Sequence, residues 1–143
     1  MQLYTELETD RLVLRPLTED DFDRMYLLQS NPEVMRYIGM GKARTKKEAR
    51  KVFELFLNHQ KKWGFSFCTA FEKESGSLIG FIGVVHLALD DNNPEIEVGY
   101  WLLPEFWKKG YATEGAKACI KWAFNHLSIE KVVGVTHPDN LAS

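Results

Sequence analysis

Residues 95–114 read Glu95-Ile96-Glu97-Val98-Gly99-Tyr100-Trp101-Leu102-Leu103-Pro104-Glu105-Phe106-Trp107-Lys108-Lys109-Gly110-Tyr111-Ala112-Thr113-Glu114. Up to Leu103 the period is two, which predicts a strand with Glu95, Glu97, Gly99 and Trp101 on one face and Ile96, Val98, Tyr100 and Leu102 on the other. A short loop then leads into a helix from about Tyr111 to Leu127, with Ala112, Ala116, Cys119, Ile120 and Ala123 on its inner face. The first backbone N–H groups of such a helix have no partner inside it, and they point outward at the positive end of its dipole. A strand-to-helix turn of this kind suits an anion such as a pyrophosphate. Gly110 would let that anion approach the backbone closely, while Lys108 and Lys109 add charge at the rim. A plain helix start with one glycine and two surface lysines would read the same way.

Working toward the N-terminus, residues 78–87 and 65–71 also alternate, and Glu74-Ser75-Gly76-Ser77 and Asp90-Asp91-Asn92-Asn93-Pro94 supply the turns. Three consecutive antiparallel strands are the expectation. Thr45-Lys46-Lys47-Glu48 is a capping box opening a helix, with Ala49, Val52, Phe53, Phe56 and Leu57 on one face and Gly64 as its stop. An earlier helix begins at Thr18 and ends at Asn31-Pro32, because a residue before proline is pushed out of the helical region. A first strand spans residues 7–16, and valine-rich residues 131–137 form a last one. The predicted order is β-α-α-β-β-β-α-β, an α/β domain with a mixed sheet, and all 143 residues form one domain.

A formal net charge of −2 gives no global field for nucleic acid or an anionic membrane. Cys68 and Cys119 lie in apolar runs without metal-ligand spacing, so they read as buried thiols of a reducing, cytoplasmic protein with no metal. The opening Met1-Gln2-Leu3-Tyr4 is no signal peptide, and no apolar run is long enough to span a membrane. His86 and His137 sit at strand ends and read as structural or solvated, and His59 and His126 are placed on helix surfaces. Trp63, Trp101 and Trp122 read as core.

The stretch from Glu97 to Glu114 closely resembles the central motif of the GNAT superfamily of N-acetyltransferases. Within it, the similarity is to the RimJ/RimL type, the ribosomal-protein alanine N-acetyltransferases. The opening Leu7-Glu8-Thr9-Asp10-Arg11-Leu12-Val13-Leu14-Arg15-Pro16, the Asn31-Pro32-Glu33-Val34-Met35-Arg36-Tyr37 segment and the closing His137-Pro138-Asp139-Asn140-Leu141-Ala142-Ser143 match as well, in the right order. The resemblance implies acetyl-CoA as co-substrate and an amine as acceptor. It maps the family's pyrophosphate loop, Gln/Arg-x-x-Gly-x-Gly/Ala, onto Trp107-Lys108-Lys109-Gly110-Tyr111-Ala112, with the N–H groups up to Thr113 as donors. Trp107 departs from the pattern, since an indole cannot replace a guanidinium charge. Leu102 and Leu103 would pair with the pantetheine arm as another strand does, beside a bulge that splays the strand from its neighbour. A strand N–H near Leu102 would hold the oxyanion.

Glu97 is the preferred general base, with Gly99 leaving open space beside it; a plain cross-sheet ion pair is its bland alternative. Asn140 and Ser143 match the family's Asn-x-x-Ser, which implies pantetheine contact for Asn140 and a place near the sulfur for Ser143, a candidate thiolate-protonating group. Asn140 could equally cap a turn after Pro138. The favoured acceptor is a protein or peptide N-terminus. A small amine (polyamine, amino sugar or amino acid) is the nearest rival, and a non-catalytic acyl-CoA-binding module is the rival of another class. Family members continue into another helix and two more strands after this point. The expectation is therefore that residues follow Ser143 in the natural protein, or that the open edge of the last strand pairs with another chain, as in a homodimer.

Overall fold

The computed structural model describes residues 6–134, so Asn140, Ser143, His137 and the end of the last strand lie outside the described residues. The elements are β1 (Leu7–Glu8), β2 (Leu12–Pro16), α1 (Phe22–Gln29), α2 (Pro32–Met35), α3 (Lys46–Trp63), β3 (Phe67–Glu72), β4 (Leu78–His86), β5 (Ile96–Leu102), α4 (Tyr111–His126) and β6 (Val132–Gly134). Six strands form one sheet in the order β1-β2-β3-β4-β5-β6. The pairs from β1 to β5 are antiparallel and β6 joins β5 in parallel, so the sheet is mixed as expected.

The N-terminal third departs from the sequence reading in two places. Residues 7–16 are two strands, because the Thr9 hydroxyl accepts from the Leu12 N–H and the Thr9 N–H donates to the Leu12 carbonyl, folding the chain back on itself. Asn31-Pro32 ends α1, yet it also begins α2. Proline loses nothing as the first residue of a helix, and the Asn31 side chain accepts from the Glu33 and Val34 N–H groups as its cap. The capping box at Thr45 and Glu48 forms as predicted, with the Glu48 carboxylate on the Thr45 N–H at 2.8 Å. Gly64 closes α3 in the left-handed conformation at φ 84°.

Two cores flank the sheet. On one face α1, α2 and α3 pack Met25, Leu28, Met35, Phe53, Phe56 and Leu57 over Phe67, Phe81 and Val85. On the other, α4 packs Tyr111, Cys119, Trp122 and Ala123 over Leu12, Ile82, Ile96 and Leu102. The inner stripe of α4 is rotated from the predicted one: Tyr111, Gly115 and Trp122 are in, while Ala112, Ala116 and Ile120 are half-buried. Gly115 decides the rotation, since a Cβ there would stand 2.4 Å from Ile82 Cδ1. Each large side chain buried in these layers contributes roughly 1.5–3 kcal/mol to docking α4 on the sheet.

Candidate active site

After β5 the chain makes one 3₁₀ turn at Pro104–Phe106 and then passes through two left-handed residues, Lys108 at φ 60° and Gly110 at φ 83°. Gly110 is the N-cap of α4, and no side chain caps the helix there. The first helical bond runs from the Glu114 N–H to the Gly110 carbonyl at 3.0 Å, so the N–H groups of Tyr111, Ala112 and Thr113 have no carbonyl within the helix. Lys108, Lys109, Gly110 and Thr113 are exposed. The turn therefore presents several backbone donors and two ammonium groups at the positive end of a 16-residue helix. Outward-facing donors of this kind suit an anion. Trp107 is tied down: its indole N–H donates to the Leu102 carbonyl at 2.9 Å.

The hydrogen bonds of β5 decide which of its groups face outward. The Leu87 N–H donates to the Glu95 carbonyl and the Leu103 N–H to the Ile79 carbonyl, both at 2.9 Å, at either end of one unbroken register. Narrow pairs alternate with wide ones in an antiparallel ladder, so odd residues of β5 bond to β4 and even residues turn away. The backbone groups of Ile96, Val98, Tyr100 and Leu102 thus point to the β6 edge. The described part of β6 reaches only as far as Val98. Leu103 does not share this edge. Its N–H is committed to Ile79, and its carbonyl accepts from Phe106 at 3.0 Å. Nor does β5 carry a bulge against β4; the irregularity in the sheet falls between β3 and β4, where Ala70 and Phe71 face Gly80 and Leu78 and Ile79 is the extra residue on β4.

Glu97 is half-buried and one carboxylate oxygen accepts from the Ala88 N–H at 3.0 Å. Ala88 and Leu89 sit at φ 57° and 58°, and this bond helps to hold that turn. The space beside Gly99 is not open. A Cβ there would lie 2.8 Å from the Phe67 ring, which stacks on Phe56 and meets Trp101 edge-on. The missing Cβ of Gly99 leaves room for that ring.

Two clusters escaped the sequence reading. Around the start of α4, Arg11 makes a 2.7 Å ion pair with Glu114, donates to the Lys109 carbonyl at 2.9 Å and stacks over Tyr111 at 4.2 Å. The Ser75 hydroxyl donates to Glu72 at 2.6 Å and the Tyr111 hydroxyl donates to it as well, and these two bonds hold the Glu72 carboxyl below its ordinary value. Burial pulls the Glu114 carboxyl upward, but hydrogen bonds from Thr9 and Arg11 outweigh it and hold the group below the usual range.

The second cluster corrects the placing of His59 on a helix surface, for it is buried. The Phe65 carbonyl can only accept, so His59 Nδ1–H donates to it at 2.7 Å and Nε2 accepts from His86 Nδ1–H at 2.8 Å. Burial pushes both imidazoles below their ordinary values. Its signal was the helical spacing of His59 from Phe56, which places it near the inner stripe of α3.

An uncapped helix start thus follows directly on a strand whose even residues turn away from β4, and Glu97 lies on that same strand. Residues 11–143 match the model of the acetyltransferase (GNAT) domain. The chain belongs to the GNAT family of acetyltransferases. The uncharacterized N-acetyltransferase YoaA of Bacillus subtilis is 32% identical over 146 residues, covering 99% of this chain and 78% of that protein. The FsC-acetyl coenzyme A-N(2)-transacetylase of Aspergillus fumigatus is 31% identical, covering 96% of this chain and 60% of that protein. Among solved structures, an acetyltransferase from Agrobacterium tumefaciens superposes with a TM-score of 0.79 at 30% identity, over 99% of this chain and 81% of that one. GNAT membership makes the chain an acetyl-CoA-dependent acetyltransferase, and no helix among its described residues is long and apolar enough to cross a membrane.

Proposed function

We propose that this GNAT domain acetylates the N-terminal α-amine of a protein or peptide, as enzymes of the RimJ/RimL type do. The observation that carries the placing of acetyl-CoA is the continuity between the uncapped α4 turn and the even-residue edge of β5. The pyrophosphate would rest on the N–H groups of residues 108–113, with Trp107 flanking them. The pantetheine arm would follow Tyr100 and the Leu102 N–H, the Leu102 carbonyl being taken by the Trp107 indole, rather than Leu103, whose N–H and carbonyl are both bonded. By the family's Asn-x-x-Ser pattern, Asn140 contacts that arm and Ser143 lies near the sulfur.

The reaction requires a neutral amine, a donor for the developing oxyanion and a proton for the leaving thiolate. Glu97 and Leu102 are five residues apart on one strand, roughly 16 Å. A Glu97 carboxylate cannot touch an amine poised at Leu102. Tyr100, roughly 10 Å from Glu97, is the nearer outward N–H and the better oxyanion donor. Glu97 then acts as general base through water. That indirect base suits an α-amine, with an ordinary pKa of about 7.7–8.0, better than a lysine at about 10.4. Neutralising the first at pH 7 costs about 1.2 kcal/mol and the second about 4.6 kcal/mol.

A second reading keeps the same chemistry with a small amine as acceptor; the Aspergillus fumigatus relative, named for transfer to an N(2) position, is the likeness that prompts it. An amine panel followed by CoA release separates the two. Peptides with free N-termini should show higher kcat/KM than polyamines, amino sugars or amino acids. Preference for a small amine would overturn the peptide assignment, and binding of acetyl-CoA without transfer to any amine would overturn both. A homodimer through the β6 edge belongs to the same proposal, and sedimentation analysis of the chain decides it.

A further inference from the structure

We infer that Arg11, held in place by Glu114, is the positioning residue of the anion-binding turn. The inference rests on the assignment of that turn to the pyrophosphate. Arg11 lies in the β1–β2 connection, 98 residues from Lys109 in sequence, yet its guanidinium spans both sides of the turn. Its Nε faces Glu114 at 2.7 Å, inside the first turns of α4. Its Nη1 donates to the Lys109 carbonyl at 2.9 Å, just before the N-cap. Its third nitrogen, Nη2, lies 3.3 Å from where a Cβ on Gly110 would stand. The Arg11 backbone N–H reaches Glu114 as well, at 2.8 Å, and Thr9 donates to the same carboxylate. The connection therefore grips α4 by a carboxylate and the loop by a carbonyl.

Two physical consequences follow. Lys109 lies between the two left-handed residues, Lys108 and Gly110, so its carbonyl marks how the peptide planes of the turn are rotated. A donor fixed on that carbonyl turns it toward Arg11 and leaves the neighbouring N–H groups for an anion. A glutamate near a helix N-terminus would also repel a pyrophosphate, and Arg11 neutralises it at contact distance. A planar fork reaches two acceptors at once, which an ammonium cannot do. Arg11 thereby brings a guanidinium to a loop whose own first position is Trp107.

Two probes that differ only beyond the pantetheine test this: acetyl-CoA, which carries the pyrophosphate, and S-acetylpantetheine, which does not. Dissociation constants are read by NMR titration of the full chain and of the Arg11→Gln, Arg11→Lys and Glu114→Gln variants. Wild type should bind acetyl-CoA far more tightly than S-acetylpantetheine. Arg11→Gln and Arg11→Lys should each weaken acetyl-CoA by about tenfold or more, the effect of losing a charge-assisted hydrogen bond, and Glu114→Gln, which also removes a repelling charge, should weaken it less. S-acetylpantetheine should stay within about twofold, because the strand edge is untouched. Arg11→Lys should rescue little. The Arg11→Gln/Glu114→Gln double variant should be no worse than Arg11→Gln alone, since Glu114 acts through Arg11. Equal losses for both probes would reduce Arg11 to a general structural role and overturn the inference. Unchanged acetyl-CoA affinity in folded variants would overturn it too. A wild type that binds both probes equally would instead remove the pyrophosphate assignment beneath it.

Discussion

Gly110→Asp and Gly76→Asp form a matched pair. Both glycines are left-handed, at φ 83° and 73°, so an aspartate meets the same backbone strain at each. That strain is about 1 kcal/mol, because Asp is among the residues that tolerate this region. Nothing lies within 4 Å of a Cβ at Gly76, in the β3–β4 turn. At Gly110 the same carboxylate stands where the phosphates of acetyl-CoA should sit. Two unit charges roughly 5 Å apart repel by about 1–3 kcal/mol at effective dielectrics of about 80 to 20. The pyrophosphate carries more than one charge, and the displaced N–H donors are lost as well. Gly110→Asp should therefore weaken acetyl-CoA binding at least tenfold, about 1.4 kcal/mol, in calorimetric titration. Gly76→Asp should bind as wild type does, and both variants should melt within a few degrees of each other. Equal affinity in the two folded variants would refute the placing of the pyrophosphate at this turn.

Glu97→Gln keeps an acceptor for the Ala88 N–H but loses the base, so turnover should fall most at low pH, where few acceptor amines are neutral; an unchanged pH–rate profile would leave Glu97 a structural role only. Because burial holds His59 and His86 below their ordinary values, the unfolded chain takes up more protons than the folded one once pH drops below about 6.5. Stability should be complete above that pH and decline as pH is lowered from it, and His59→Gln should flatten the slope in urea titrations at a series of pH values. Phe53 is fully buried between α1, α3 and the sheet, and Phe53→Ala should lose about 3–5 kcal/mol in the same titrations.

The part of the site that is legible in sequence is the part built from neighbours in sequence. Period-two alternation ran into a glycine and a helix within twenty residues, and the strand, the uncapped turn and α4 all appear where that pattern puts them. The capping box at Thr45 and Glu48 is local in the same way. Arg11 and Glu114 were invisible for the opposite reason: 103 residues separate them, and only the docking of α4 over β2 brings them together. Gly99 misled because a missing Cβ reads alike whether a substrate or the Phe67 ring fills the gap. Leu103 misled because strand parity says nothing of a single bond to Ile79 at the strand end. His59 was hidden by chemistry, since a histidine on a polar-rich helix reads as exposed until the Phe65 carbonyl is found to hold it.

Amide hydrogen exchange on the full chain, with and without saturating acetyl-CoA, tests the account most directly. The N–H groups of residues 108–113 and those of Tyr100 and Leu102 should slow together on binding, while those of α3 stay unchanged. Protection centred on the α1–α3 face, with the α4 turn exchanging as freely as before, would contradict it.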